Sequence, residues 1–302
     1  MTTKSTTTLP EARYTFGGDE FLFVEISEEM SLEANFRAML IGRGLAEKKL
    51  DGIIELCPAN ASLLVRFDPD VIAPNSLETI IRDIEEGVVH SDTTTLETRI
   101  VEVPVWYSDP FTAEVVERFR EGYHQNPSGT DLDYAAAVNE LESAEAFIEA
   151  HHSSPWLVTM VGFVAGLPFM YQLVDREHQL QVPKYLTPRT DTPKLTIGHG
   201  GCFCALYSVR GAGGYQMFGV AAAPIFDPQQ QGPDFADFMI FFKPGDIVKF
   251  RSIEEAEYYE IQEQVEQGTF SFKQTPVTFD LKRALDEGSA YNNVLMEALN
   301  VD

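Results

Sequence analysis

Basic residues are scarce in this 302-residue chain: 22 Lys and Arg stand against 47 Asp and Glu, a formal charge of −25. A surface this acidic repels phosphate backbones and anionic lipid, so neither a nucleic-acid partner nor membrane docking is expected. Cysteine is scarcer still. Three residues cannot all pair, and their spacing is no disulfide framework. A reducing, cytoplasmic setting follows as the default. No apolar run approaches the ~18 residues of a membrane helix; Val220 to Ala223 and Met239 to Phe242 are strand-sized. The opening Met1 to Leu9 is Thr-rich with no apolar core, which argues against a secretory signal. There is no Gly-x-Ser-x-Gly elbow, no phosphate-loop Lys-Ser/Thr, no recognisable ATP-binding motif and no internal repeat.

What is present is a globular composition, 44% hydrophobic and 11% aromatic. At about 150 residues per domain the length suggests two domains. Residues 1–13 read as a mobile tail. Residues 14–95 read as a compact α+β domain, strand, strand, helix, strand, strand, helix. Its signals are a Gly17-Gly18-Asp19 turn between aromatic runs, strands at Ile53 to Leu56 and Ser62 to Phe67, and helices at Ser31 to Ala46 and Ser76 to Glu86. Ser31 is placed as an N-cap. The polar stretch His90 to Thr95 reads as the linker.

Residues 96–302 read as a second domain. An alternating strand, Arg99 to Tyr107, precedes a helical insertion over about 110–150. Short strands cut by Gly and Pro follow, at Leu157 to Phe163, Leu195 to Ile197, Cys202 to Val209, Tyr215 to Ala221, Phe238 to Phe242 and Ile247 to Arg251. That pattern suits a closed barrel. Helices are expected at Glu254 to Gln267 and Leu281 to Asn300.

Cys202 and Cys204 lie in an apolar strand context, with His199 the one further ligand type close by. On a continuous strand His199 would face away from both, which favours core packing over a zinc site. His151-His152 follows a helix, and a C-terminal cap role is favoured over metal ligation. Gly198-His199-Gly200-Gly201 follows a strand but opens no helix, so it fails the test for a dinucleotide loop. One basic cluster stands out, Lys184 to Pro193, with prolines at 183, 188 and 193. A proline-fixed loop holds Lys184, Tyr185 and Arg189 in place. Lys and Arg so held suit a carboxylate, carbamate or phosphate; the alternative is that they pair with some of the 47 acids.

These residues carry a family resemblance. Phe16 to Asp19 with Phe23 to Glu25, Gly52 to Glu55 with Ser62 to Val65, and Val101 to Tyr107 contribute to it. So do His152 to Pro155 with Met160 to Phe169, and Lys184 to Gly201 with Gly213 to Gln216 and Pro244 to Asp246. In this order they resemble the carboxyltransferase subdomain C/D family: allophanate hydrolase subunit 1, the B-type subunit of 5-oxoprolinase and the carboxyltransferase half of urea carboxylase. The family also includes a bacterial sporulation-kinase inhibitor. The resemblance implies an α+β fold, a small α+β N-terminal domain followed by a cyclophilin-like β-barrel. It also implies a homologous second carboxyltransferase subunit, with a site between the two. Trp106 to Pro110, the helical stretch and Gly213 to Gln216 look like urea carboxylase. Gly162 to Phe169 looks like the oxoprolinase branch, and Cys202-Phe203-Cys204 replaces a polar triplet common in the family.

The reading that follows is a subunit of a biotin-dependent, urea carboxylase-like carboxyltransferase acting on a small amide or urea-like substrate. Biotin and ATP would be handled by partner chains, a biotin carrier and a biotin carboxylase, and no metal is assigned here. In that reading Lys184 and Arg189 hold the carboxylate and the amide oxygen from a loop exposed to the cleft. Tyr185 or Tyr207 relays a proton or orients the ureido ring. Gly198, Gly200, Gly201, Gly213 and Gly214, with Tyr215 and Gln216, seat flat ligands against the backbone. Expressed alone, the chain is expected to be inactive or to self-associate. One alternative is a subunit of an ATP-dependent 5-oxoprolinase-type lactam hydrolase. Another is a non-catalytic module resembling the histidine-kinase inhibitor.

Overall fold

The computed structural model describes residues 9–90 and 94–300. Two compact units divide the chain after residue 95. In the first, β1 (Arg13–Gly17) and β2 (Phe21–Glu25) form the hairpin that the Gly-Gly turn predicts, with Gly18 at φ +61°. Helix α1 (Leu32–Glu47) follows. The Ser31 hydroxyl accepts from the Ala34 amide at 3.1 Å, satisfying an amide the first turn leaves open. Then come β3 (Ile53–Ala59), β4 (Ser62–Phe67) and α2 (Pro74–Val89), which starts on a proline whose missing N–H costs nothing there. The sheet order is β1-β2-β4-β3. Alternation in β2 and β4 sends Leu22, Val24, Leu63, Val65 and Phe67 to one face, against Ala38 and Ile41 of α1 and Leu77 and Ile81 of α2. Ala12 is buried and Arg13 is paired, so the ordered chain begins earlier than the tail expectation. Residues 1–8 of that tail and 91–93 of the linker lie outside the described residues.

The second unit opens with β5 (Thr95–Tyr107), then α3 (Pro110–Arg118), α4 (Asp131–Val138) and α5 (Ala144–Ser153), the helical insertion. Next are β6 (Trp156–Val161), β7 (Pro168–Gln172), β8 (Arg189–Thr192), β9 (Thr196–Gly200), β10 (Phe203–Leu206), β11 (Gly211–Gly213), β12 (Gln216–Ala221) and β13 (Ile247–Ser252). Helix α6 (Glu255–Glu266), β14 (Gln274–Asp280), α7 (Leu281–Glu287) and α8 (Ser289–Glu297) complete it. Strands run β12-β9-β10-β7-β6-β13-β5, and β5 pairs back onto β12, closing a seven-stranded barrel; β14 flanks β5. β8 and β11 form a separate two-stranded ribbon. No helix among the described residues is long and apolar enough to cross a membrane.

Three expectations are corrected here. Phe238 to Phe242 forms no strand, only a bridge between Phe226 and Ile240. The last helix breaks at Gly288, where φ is +53°. The chain reverses between β9 and β10, so His199 lies directly opposite Cys204 rather than facing away from it, while Cys202 sits in the turn.

Two histidines, His151 and His199, are fully buried in the second unit. His151 does not cap its helix: its ring stacks on Phe250 with centroids 5.1 Å apart, and its Nδ1 lies 2.9 Å from the Tyr107 hydroxyl. His199 Nε2 donates to the Leu180 carbonyl at 3.1 Å. Burial holds His151 well below the usual histidine range and His199 down at about 4. An unfolded histidine titrates near 6.5. The unfolded chain therefore takes up protons first as pH falls. Stability from these groups is full above about pH 6.5 and is lost towards pH 4. At about 1.4 kcal/mol per unit, His199 alone amounts to about 3 kcal/mol. Urea titrations at pH 7.5 and 4.5 should show that loss in the parent chain and a smaller one in His199→Gln; equal losses would remove His199 as the cause.

Candidate functional site

The segment 183–189 carries the predicted cations, and the structure separates them. Lys184 is exposed. Its Nζ stands 5.2 Å from the centroid of the Tyr215 ring, and no acid pairs with it among the described residues. A free cation in so acidic a chain is a natural anion contact.

Arg189 goes the other way. It is 0% exposed, which corrects the expectation that it reaches into an open cleft. As the first residue of β8 it is drawn inward by pairing with Gly213 of β11, and its guanidinium lies 4.3 Å from the Tyr185 ring centroid. Its one hydrogen bond is a long 3.3 Å contact to Thr192 Oγ1; Nε and Nη1 have no partner.

Three of the five predicted glycines do not present an open face. A Cβ on Gly200 would sit 2.4 Å from the Tyr215 ring, and one on Gly213 would sit 2.4 Å from the Tyr207 hydroxyl. One on Gly198 would meet both tyrosines at 3.1 Å. The faces of Gly198, Gly200 and Gly213 are thus filled by the chain's own Tyr207 and Tyr215, whose buried phenols are pushed above the usual range, while a Cβ on Gly201 would meet nothing within 4 Å and one on Gly214 only Pro188 at 3.9 Å. Gly213→Ala should therefore cost about 1–3 kcal/mol by overpacking. A denaturation midpoint equal to the parent's would contradict that packing. Gly201 follows β9 at φ +63°, and the Gly214 carbonyl accepts from the Tyr185 amide at 2.8 Å.

Behind this segment lies a buried polar network that sequence reasoning missed. Asp131, the first residue of α4, is fully buried. It accepts from Arg120 Nη2 and from the Tyr185 hydroxyl, both at 2.9 Å, and from the Met217 amide at 2.8 Å. Burial pushes its carboxyl up, against the pull of the Met217 amide, the Tyr185 hydroxyl and Arg120. The Asn126 amide donates to His124 Nδ1 at 2.8 Å, which leaves Nε2 to donate to Gln216 Oε1 at 2.8 Å. Gln216 Nε2 in turn donates to the Pro183 carbonyl at 2.8 Å. Tyr185 and Gln216 therefore tie the Lys184 segment to the helical insertion. Thr130 and Asp133 form a capping box around Asp131, which in the sequence marks only a helix start.

The same helices enclose a cavity of about 320 Å³. Val116 of α3, Leu132 of α4, and Met217 and Phe218 of β12 supply its apolar wall. Asp109, Arg120 and Asp131 supply its polar side, with Glu117 also lining it. Burial raises the Asp109 carboxyl, opposed by its bonds to Thr112 and Phe111 at the start of α3.

The second unit is thus a closed seven-stranded barrel with a helical insertion and a cavity of about 320 Å³ beside it. Residues 12–236 match the family described as carboxyltransferase domain, subdomain C and D, and the chain belongs to that family. It is 28% identical over 256 residues to the B-type subunit of 5-oxoprolinase from Bacillus subtilis, covering 82% of this chain and 95% of that one. It is 26% identical over 280 residues to the urea amidolyase of Lachancea kluyveri, covering 91% of this chain and 15% of that one. The crystal structure of the K. lactis urea amidolyase superposes on 96% of this chain with a TM-score of 0.78 and 25% identity. The chain thus spans 17% of that much longer protein.

Proposed function

We propose that this chain is one part of a carboxyltransferase of the urea carboxylase kind, acting on a small amide through a site completed by a homologous partner. What supports this branch is the extent of the sequence likeness: the alignment to the urea amidolyase of Lachancea kluyveri spans 91% of the chain, and that to the 5-oxoprolinase relative spans 82%. The exposed, unpaired Lys184 over Tyr215 fits a carboxylate on a flat ring, and these residues would hold a carboxylated biotin brought by a partner chain. That group would supply the carboxyl; ATP would be used elsewhere, on a biotin carboxylase. On this chain, Lys184 holds the carboxylate, and Tyr185 keeps its segment in register through Asp131. Arg189 contributes charge from beneath Tyr185, without direct contact. An amide nitrogen is a poor nucleophile, so a positive group near the amide oxygen is what the reaction requires.

Purification of the tagged chain from its native cell tests this. A biotinylated protein and a homologous carboxyltransferase chain should co-purify. Recovery of lactam-hydrolase partners without any biotinylated protein would favour the 5-oxoprolinase reading.

A further inference from the structure

We infer that the cavity between α3, the 127–132 loop and β12 binds a neutral primary amide with an apolar body, in preference to urea itself or to a carboxylate-bearing lactam. This rests on the amide reading above and narrows its substrate class. A volume of about 320 Å³ sits at the small end of the roughly 300–1,000 Å³ usual for small-molecule sites. Urea would leave most of it empty, and Val116, Leu132, Met217 and Phe218 offer urea nothing to bond.

The polar groups decide the charge. Asp109, Glu117 and Asp131 line the cavity against one cation, Arg120, so an anion entering it is repelled. A cation finds no buried charge waiting for it either. The Asp131 carboxylate already accepts from Arg120, Tyr185 and the Met217 amide. Asp109 already accepts from the amides of Phe111 and Thr112 and from the Thr112 hydroxyl. Glu117 is exposed and solvated. Arg120 offers a donor to an amide C=O, and the exposed Ser108 and Ser128 hydroxyls line the same space and can accept from its NH2. Asp131 also accepts from Tyr185, next in sequence to Lys184, so one side chain links the cavity wall to the segment with the proposed carboxyl-holding cation.

Titration of the full chain with phenylacetamide, phenylacetate, 2-phenylethylammonium and urea, followed by ligand-observed NMR, tests the inference. Phenylacetamide, with about ten non-hydrogen atoms, should bind with a Kd on the order of 1 mM. The acid and the ammonium should each bind at least about tenfold more weakly, and urea should not saturate. Ala113→Trp, on the exposed side of α3 where it fills the cavity mouth, should abolish amide binding while the thermal transition is kept. Glu117→Gln should narrow the gap between amide and acid. Equal binding of the acid or the ammonium, binding that survives Ala113→Trp, or no saturable amide binding would each overturn it. Binding is read without turnover. A chain that binds the amide but transfers no carboxyl keeps the cavity assignment and loses the proposed function.

Discussion

Asp131→Ala should destabilise the chain by about 3–5 kcal/mol, the usual cost of removing one partner from a buried ion pair. Two guanidinium groups, Arg120 and the fully buried Arg189, share this carboxylate as their near anion. Its loss strands both, and it also leaves the Met217 amide and the Tyr185 hydroxyl without their acceptor. Asp131→Asn keeps shape but removes charge, and should fall between parent and Ala. Asp133→Ala is the control. That residue is exposed and belongs only to the capping box, so it should cost about 1 kcal/mol. Urea denaturation of the three variants reads the series. An Asp131→Ala cost as small as that of Asp133→Ala would mean the network does not hold the insertion to the barrel.

Lys184→Ala should lower carboxyl transfer about 10²–10³-fold in the assembled enzyme, the effect of losing one preorganised charge contact. Folding should be unchanged, because the side chain is exposed and makes no ion pair among the described residues. Lys184→Arg should restore part of the rate, since a cation returns to the Tyr215 face. Arg189→Lys should behave differently. Its guanidinium is buried against Tyr185, so the change should show first as lost stability. Rates measured alongside melting temperatures separate the two residues. A normal rate in Lys184→Ala would remove it from the site.

Much of the fold was legible because its signals are local. The Gly17-Gly18 turn, the Ser31 cap and the long alternating β5 are each written in a few neighbouring residues. β8 and β11 were missed because they are four and three residues long, too short for periodicity to register. The face of His199 was misjudged because the hairpin turn at 201–202 resets the alternation.

The site was legible in part for the same reason. The proline-fixed segment was found, but which of its cations stays in solvent depends on β8 pairing with β11, a tertiary fact. Asp131 could not be found at all: its partners Tyr185 and Met217 lie 54 and 86 residues away. The glycines were found for a sound reason, close approach. What approaches Gly198, Gly200 and Gly213 is a pair of tyrosine rings supplied by the same chain, and composition gives no view of that.

The most direct test is an assay of the natively purified complex with ATP, labelled bicarbonate and an amide, with and without avidin. Amide-dependent fixation of label is expected, abolished by avidin and greatly slowed by Lys184→Ala. ATP-dependent opening of a lactam that ignores both bicarbonate and avidin would contradict carboxyl transfer.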